Sequence, residues 1–281
     1  DRSRGLGDVY KRQKQTFDQL IDKLTEHKIN NVQLAFKKSI IDIDFTTGHY
    51  NPGLGHFIGK RLAENNIHVS VLGCYINPTT PDEKKRQAEV KRFIEHLKYA
   101  KAIGADMVGT ETGRLDENFK IVPGTYTETC YQRLLKSMRE IVSAAEKLGV
   151  IVGVEGVATH TIYSPEMMQR FLDDINSPNV EVILDPVNLL DRNNYKEQEE
   201  VIAKAFRYYG DRISVMHIKD FTLDANGDVI FEQVGEGLFN YAPLFKELKA
   251  SKPHITMLIE NSNGSRYHSD CEYLQKIYEE A

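Results

Sequence analysis

The fold is decided by one stretch, residues 134–185, which reads LLKSMREIVSAAEKLGVIVGVEGVATHTIYSPEMMQRFLDDINSPNVEVILD. Its first part spaces apolar residues three and four apart, which predicts an amphipathic helix. Gly149 follows at the point where glycine readily takes the left-handed conformation that ends many helices. Residues 151–155 and 181–185 are short apolar runs without strict alternation, as in strands covered on both faces, and a shorter helix over 165–172 separates them.

The same alternation continues on both sides of this stretch. It predicts further strands over residues 32–36, 68–75, 106–110, 213–217 and 255–260. It predicts helices over residues 16–28, 90–100, 198–209 and 241–248. Strand and helix in unbroken alternation imply parallel strands joined by right-handed crossovers. With 281 residues and no linker, the chain is predicted to be an α/β protein with one (β/α)₈ TIM barrel.

The predicted strands number seven, and a closed barrel needs eight. The missing strand belongs before the helix over 16–28, where residues 1–13 are rich in basic residues and poor in apolar ones. Residues 5–13, GLGDVYKRQ, resemble translated adapter sequence found at the ends of some metagenomic assemblies. We therefore expect residues 1–13 to be a non-native segment, residues 14–281 to be the barrel domain, and the native first strand to be lacking. The milder alternative is a poor first strand over residues 7–10.

Composition excludes several functional classes. The formal charge is −5 and both signs are interspersed, which argues against a nucleic-acid partner. No apolar run approaches the roughly 20 residues of a membrane span, and the first residues do not have the charged-then-apolar pattern expected of a secretory signal. The cysteines, Cys74, Cys130 and Cys271, are few, odd in number and far apart. They predict reduced thiols in a cytoplasmic protein.

Four of the predicted strands end in a potential metal ligand. Glu155, Asp185, His217 and Glu260 each follow an apolar run directly, about one βα repeat apart. The carboxyl ends of barrel strands meet at one face, so the four side chains are expected to converge there. Three carboxylates so close together would repel strongly without a cation. The pattern predicts one divalent metal ion, Mn²⁺ first, with Mg²⁺, Co²⁺ or Zn²⁺ as alternatives.

These motifs together resemble the xylose-isomerase-like sugar epimerase/isomerase superfamily from about Thr16 onward. The segments that carry the resemblance are VGVEG with Glu155, LDPVN with Asp185 and Asn188, MHIKD with His217, IEN with Glu260, and the GEG turn at 235–237. Each is weak alone, but in this order and at repeat spacing they are specific for the superfamily. They say little about a particular substrate.

The resemblance implies a sugar or sugar-phosphate isomerase or epimerase that works through a metal-bound enediolate. Glu155 and Glu260 would face opposite sides of a small carbohydrate substrate, one removing a proton beside the carbonyl and the other returning one. Return to the same carbon gives epimerisation, and return to its neighbour gives isomerisation; both stay open. Related enzymes often form dimers or tetramers, so a homo-oligomer is expected.

Other residues near these motifs are candidates for substrate binding. Asn188 follows Asp185 by one turn, and Lys219 falls on the same side of its strand as His217. His160 lies on the loop after Glu155. The remaining candidates are Glu111, which ends the third predicted strand, Asp220, which can also orient His217, and Arg266, which can meet a phosphate.

Three rival functions are weighed against this one. A dehydratase of a polyol ketone, of the inosose type, would use the same ligands, and the sequence does not separate it from an isomerase. A three-zinc AP endonuclease needs additional histidines, where this chain has Asn188, Val229 and Phe231. A non-catalytic sugar-binding barrel would not need the complete ligand set.

Overall fold

The computed structural model describes residues 6–9, 15–116, 120–262 and 264–281. Ten strands lie in the described part: β1 (Leu6–Val9), β2 (Asn31–Leu34), β3 (His68–Gly73), β4 (Ala105–Glu111), β5 (Ile151–Glu155), β6 (Val180–Leu184), β7 (Ile213–Ile218), β8 (Asp220–Leu223), β9 (Val229–Glu232) and β10 (Thr256–Ile259). The same residues contain nine α-helices: α1 (Phe17–Glu26), α2 (Phe36–Ser39), α3 (Pro52–Glu64), α4 (Glu83–Ile103), α5 (Glu128–Leu148), α6 (Pro165–Ile175), α7 (Gln198–Tyr209), α8 (Tyr241–Ser251) and α9 (Tyr267–Glu280).

Eight of the strands close into a barrel in the order β1–β10–β7–β6–β5–β4–β3–β2, each parallel to its neighbours. This confirms the predicted TIM barrel. The seven strands predicted from sequence are present, with ends within two residues of the predicted ones. Helices α3 and α9 and an antiparallel hairpin of β8 and β9 go beyond the predicted elements.

The first position in the ring is filled by β1, which corrects the count of seven strands. Its backbone pairs with β10 on one side and with β2 on the other, so the two edges expected for an incomplete barrel are joined. The pairing corresponds to the milder alternative, a short first strand near residues 7–10. Residues 1–5 and 10–14 lie outside the described residues, so the non-native origin of segment 1–13 stays a prediction.

Helix ends follow the local sequence signals. Thr16 caps α1 in a capping box with Gln19, each side chain accepting from the other residue's backbone N–H. Gly149 ends α5 at φ 61°, the left-handed C-cap that the sequence predicts, and Gly104 ends α4 in the same way at φ 83°. Among the helices of the described residues, none has the length and apolar character that a bilayer span requires.

The core consists of two layers. The larger layer packs the buried faces of the helices against the outside of the barrel. A smaller cluster fills the barrel interior below the site and consists of Val71, Met107, Ile183, Val215 and Leu258. A barrel interior packed in this way is solid, so the strand ends above it are held on a rigid base. Cys74 and Cys130 are buried thiols.

Candidate metal centre

Four neighbouring strands carry the predicted metal ligands to one edge of the barrel. Glu155 is the last residue of β5, Asp185 directly follows β6, His217 lies near the end of β7, and Glu260 directly follows β10. Since β5, β6, β7 and β10 are consecutive around the barrel, the four side chains converge at its carboxyl end. All four are buried. This convergence agrees with the placement expected from the sequence.

The ligand atoms are close enough to share one ion. Donor atoms of Glu155, Asp185 and His217 lie within 4.8 Å of one another. The His217 Nδ1 atom is 3.3 Å from Glu155 Oε1 and 3.5 Å from Glu260 Oε1, which brings the third carboxylate to the same imidazole nitrogen. Three carboxylates and one imidazole nitrogen suit Mn²⁺, Mg²⁺, Co²⁺ or Zn²⁺ rather than a metal that prefers sulfur. The residues therefore fit a divalent ion.

The two nitrogens of His217 have different surroundings. Nδ1 faces the carboxylates, whereas Nε2 lies 3.0 Å from Oε1 of Gln33, a buried residue of β2. Because an amide oxygen only accepts, Nε2 carries a proton and Nδ1 is directed at the metal position. Gln33 in turn donates through its Nε2 to the hydroxyl of Tyr75. Histidine ligands are commonly oriented through their other ring nitrogen in this way.

Gln33 and Tyr75 are site residues that the sequence reasoning missed. A glutamine within the apolar run of 32–36 is the one available signal, because a polar residue there has to find a partner inside the barrel.

Burial and the neighbouring charges shift the pKa values of the carboxyl groups of the site in opposite directions. Burial raises the pKa of Asp185, and the charge of Lys219 only partly opposes it. Burial acts in the same way on Glu155, but the charge and hydrogen bond of His217 outweigh it and lower the pKa of that carboxyl. For His217 and Lys219, burial disfavours the charged form, yet the neighbouring carboxylates prevail and raise the pKa of each. The cluster is therefore a set of mutually compensating charges.

Lys219 and Asn188 join the four ligands into one network. The Lys219 Nζ lies 2.8 Å from Asp185 Oδ2 and 3.1 Å from Glu260 Oε2, and it donates to Asn188 Oδ1 at 2.6 Å. Asn188 Nδ2 donates to Glu155 Oε1 at 2.6 Å. Both candidate substrate-binding residues thus lie beside the metal ligands.

Glu111 and His160 form a pair beside this network. Glu111 ends β4 and is opposite Glu155 in the strand register. His160 is buried on the loop after β5, and its Nδ1 is 3.7 Å from Glu111 Oε2. Burial, helped by the charge of Arg114, lowers the pKa of His160 to about 3. A neutral imidazole and a carboxylate are thus available for hydrogen bonds to neutral hydroxyls.

Asp220 has a structural position rather than one facing the four ligands. Its Oδ1 accepts from the backbone N–H of Phe221 and of Phe239, both at 2.8 Å, and its Oδ2 accepts from that of Gly235 at 3.1 Å. Gly235 is left-handed at φ 79°. A Cβ at Gly237 would lie 2.2 Å from the carbonyl oxygen of Phe221, so that position requires glycine. The GEG motif is therefore a turn wrapped around a buried carboxylate.

The hairpin of β8 and β9 stands over one side of the site. Its tip is tied to the loop after β6 by an ion pair between Asp228 and Arg192. Phe231 of β9 places its ring 3.9 Å from the Lys219 Nζ. The hairpin therefore contributes an aromatic wall that the sequence reasoning did not anticipate.

Residues 16–277 match the xylose isomerase-like TIM barrel family, which covers more than nine-tenths of the chain. The chain belongs to this family. The inosose dehydratase of Glaesserella parasuis serovar 5 (strain SH0165) is 23% identical over 214 residues, 68% of this chain and 70% of that protein.

Solved structures of the family share the fold. A D-tagatose 3-epimerase-like protein has a TM-score of 0.75 at 18% identity, covering 98% of this chain and 97% of its own. The IOLI protein, solved with a bound zinc atom, has a TM-score of 0.71 at 15% identity, covering 97% and 96%.

Proposed function

We propose that the protein is a divalent-metal-dependent isomerase or epimerase of a small carbohydrate, acting by proton transfer beside a carbonyl through an enediolate. The observation that carries the proposal is the convergence of three buried carboxylates and one imidazole at the carboxyl end of the barrel. Membership of the xylose isomerase-like family and the likeness to an epimerase-like structure support it.

Glu155, Asp185, His217 and Glu260 would hold the metal. The ion would supply Lewis acidity, which polarises a carbonyl and makes the adjacent C–H more acidic. Mn²⁺ remains our first choice from the donor set, and Mg²⁺, Co²⁺ and Zn²⁺ suit the same donors. The bound zinc of the IOLI protein shows that a barrel of this fold can carry such an ion.

Glu155 and Glu260 are proposed as the two proton carriers. They reach the site from β5 and β10, on opposite sides of His217, and each lies within 3.5 Å of its Nδ1. Asn188 donates to Glu155, whereas Lys219 contacts Glu260. Each carboxylate is thus oriented by a different neighbour, so one can take a proton while the other returns one.

Asn188, Lys219, His160 and Glu111 are proposed to bind the substrate hydroxyls. Their amide, ammonium, imidazole and carboxylate groups are the donors and acceptors that a polyhydroxy ketone requires. Arg266, the candidate phosphate contact, is engaged with Glu236 and Asp270. Neutral ketoses are therefore the first substrates to test, and sugar phosphates follow. The absence of a nucleic-acid partner and homo-oligomerisation stay predictions.

A dehydratase of a cyclic polyol ketone is the second candidate. It is favoured by the 23% identical inosose dehydratase, and it would use the same ligands to remove the same kind of proton before expelling a hydroxyl. The AP endonuclease alternative has less support. That class of enzyme requires additional histidines at two positions where this chain has Asn188 and Phe231. Asn188 is hydrogen-bonded to Glu155 and Lys219, and Phe231 covers Lys219.

The test is metal-dependent hydrogen exchange in D₂O. Protein loaded with Mn²⁺ would be incubated with ketoses, inososes and their phosphates. Each reaction would be stopped after a set time, Mn²⁺ would be removed with a chelator, and NMR would then measure the deuterium that has entered the position beside the carbonyl. Exchange in the wild type, lost in Glu155→Gln and Glu260→Gln, is the expected result. Glu272→Gln removes an exposed carboxylate on α9 and serves as the control.

The products distinguish the candidates. An epimer or an aldose supports the first proposal, and loss of water supports the dehydratase. Exchange that persists in both glutamine variants would exclude Glu155 and Glu260 as the proton carriers. A folded wild type that binds no divalent metal would overturn the proposed function.

A further inference from the structure

The Lys219 side chain is enclosed within the metal centre. It is 2% exposed, and its ammonium contacts three oxygen atoms, those of Asp185, Glu260 and Asn188, at 2.8, 3.1 and 2.6 Å. The ammonium donates hydrogen bonds to Asn188 and Glu260, and it forms an ion pair with Asp185 Oδ2, which accepts no hydrogen bond among the described residues. The ring of Phe231 lies 3.9 Å away and covers the cation on a further side. The ammonium is thus a fixed charge of the site rather than a mobile surface group.

Two of these three oxygens belong to proposed metal ligands. Asp185 Oδ1 accepts from the backbone N–H groups of Val187 and Asn188, at 3.0 and 3.1 Å, which uses both of its lone pairs. Its Oδ2 is the oxygen that Lys219 contacts. A metal ion that binds Asp185 must therefore take the same oxygen as the ammonium. Glu260 differs in that its Oε2 contacts Lys219 whereas its Oε1 faces His217 Nδ1, so the ammonium draws on the charge of this carboxylate without occupying the oxygen that faces the metal position.

We propose that Lys219 is a built-in counter-cation that competes with the divalent metal for Asp185 and Glu260 and so limits the affinity of the site for the metal. The inference rests on the metal site of the proposed function and adds a determinant of its affinity. Lys219 balances part of the charge of the three carboxylates, and this same charge repels an incoming dication. When the metal takes Asp185 Oδ2, Asn188 Oδ1 remains as an acceptor for the ammonium.

Replacement of Lys219 by a neutral residue is therefore expected to strengthen metal binding. Lys219→Met keeps the length and apolar stem of the side chain but leaves three carboxylates with less positive charge. Loss of one unit charge within a few ångströms of a dication corresponds to an increase in Mn²⁺ affinity of about tenfold or more. A lysine that served only packing or substrate binding would leave the affinity unchanged or lower it.

Isothermal titration calorimetry of the full chain with MnCl₂ alone, at one pH and ionic strength, tests this. Lys219→Met is compared with the wild type and with Lys276→Met, which removes an exposed charge on α9 and controls for the net charge of the protein. Lys219→Gln is the second neutral variant; its amide can still donate to the neighbouring oxygens, so it decides the matter if the methionine variant does not fold. Lys219→Arg retains the charge.

Tighter Mn²⁺ binding in the neutral variants, with the arginine and Lys276→Met variants at or below wild-type affinity, is the expected result. Thermal unfolding gives a second readout: the neutral variants melt earlier than the wild type in chelator and gain more from added Mn²⁺. Equal or weaker Mn²⁺ binding in a folded neutral variant overturns the inference and leaves the metal site standing. A wild type that binds no Mn²⁺, Mg²⁺, Co²⁺ or Zn²⁺ overturns the proposed function itself.

Discussion

Substitution of Gln33 tests how His217, a proposed metal ligand, is held. Gln33→Met removes the oxygen that accepts from His217 Nε2 at 3.0 Å and replaces it with an apolar group of similar length. Both residues are buried, which restricts the access of bulk water to the hydrogen-bonding position that Gln33 leaves. The imidazole then loses the contact that keeps its proton on Nε2 and directs Nδ1 at the metal position.

Two estimates of the effect agree. A buried donor left without a partner costs about 1–3 kcal/mol. Loss of a residue that orients a metal-bound histidine typically weakens binding about 10- to 100-fold, which corresponds to roughly 1.4–2.7 kcal/mol. We therefore expect Gln33→Met to weaken Mn²⁺ binding by about 10- to 100-fold, measured by calorimetry. Gln33→Glu, which retains an acceptor and adds a negative charge, should bind Mn²⁺ at least as tightly as the wild type.

Ser70→Ala provides the matched control. Ser70 is a fully buried polar residue on the neighbouring strand β3, and within the described residues its hydroxyl has no hydrogen-bond partner. Its removal should leave metal binding unchanged. The reasoning is refuted if a folded Gln33→Met protein binds Mn²⁺ as tightly as the wild type. It is equally refuted if Ser70→Ala weakens binding to the same extent.

Three further predictions concern stability. Gly237→Ala places a Cβ too close to the carbonyl oxygen of Phe221. It should lower the free energy of unfolding, measured in denaturant titrations, by more than about 2 kcal/mol, which exceeds the cost of a strained backbone conformation alone. Gly227→Ala, left-handed at φ 81° but with open space around it, should cost only about 1–2 kcal/mol; equal losses would contradict the argument from close approach. Burial lowers the pKa of His96 to about 4 and that of His160 to about 3, so the unfolded chain takes up these protons first as the pH falls below 6.5. Each histidine should lower the free energy of unfolding by about 1.4 kcal/mol per pH unit until the pH reaches the pKa of that histidine in the folded protein. His96→Gln should therefore make the free energy of unfolding depend less steeply on pH, and an unchanged dependence would contradict the argument. Finally, EDTA should lower the melting temperature of metal-loaded protein and excess Mn²⁺ should restore it, whereas no shift in either direction would argue against a bound metal.

The barrel and the placement of the four proposed metal ligands are readable from the sequence because each depends on a local pattern. An apolar run that ends in a charged residue, as at Glu155, marks a buried strand that reaches a polar edge. The spacing between such runs indicates the helix that connects them. Since parallel strands of a barrel share one carboxyl end, convergence of Asp185, His217 and Glu260 with Glu155 follows from topology alone.

The contacts of Gln33 are not readable in the same way. In a strand covered on both faces, apolar residues point inward and outward alike, so the pattern does not show which face Gln33 joins. Its partners, His217 and Tyr75, are far away along the chain, and only the closure of the barrel brings them together. The hairpin was missed for another reason: its strands are short and half-exposed, although the turn around Gly227 was a usable signal.

The anchoring of the β8–β9 hairpin has a consequence for which of its residues can vary. Asp220 holds the base of the hairpin mainly through backbone N–H groups, and the tip is held by the pair between Arg192 and Asp228. Neither anchor uses the side chains of Ile230 or Phe231, which are 45% and 51% exposed. Substitutions at Ile230 and Phe231 are therefore expected to leave the backbone of the hairpin in place, and those at Phe231 also alter a contact with Lys219. The hairpin is thus a segment at which the wall above the proposed metal centre can vary while the barrel is kept.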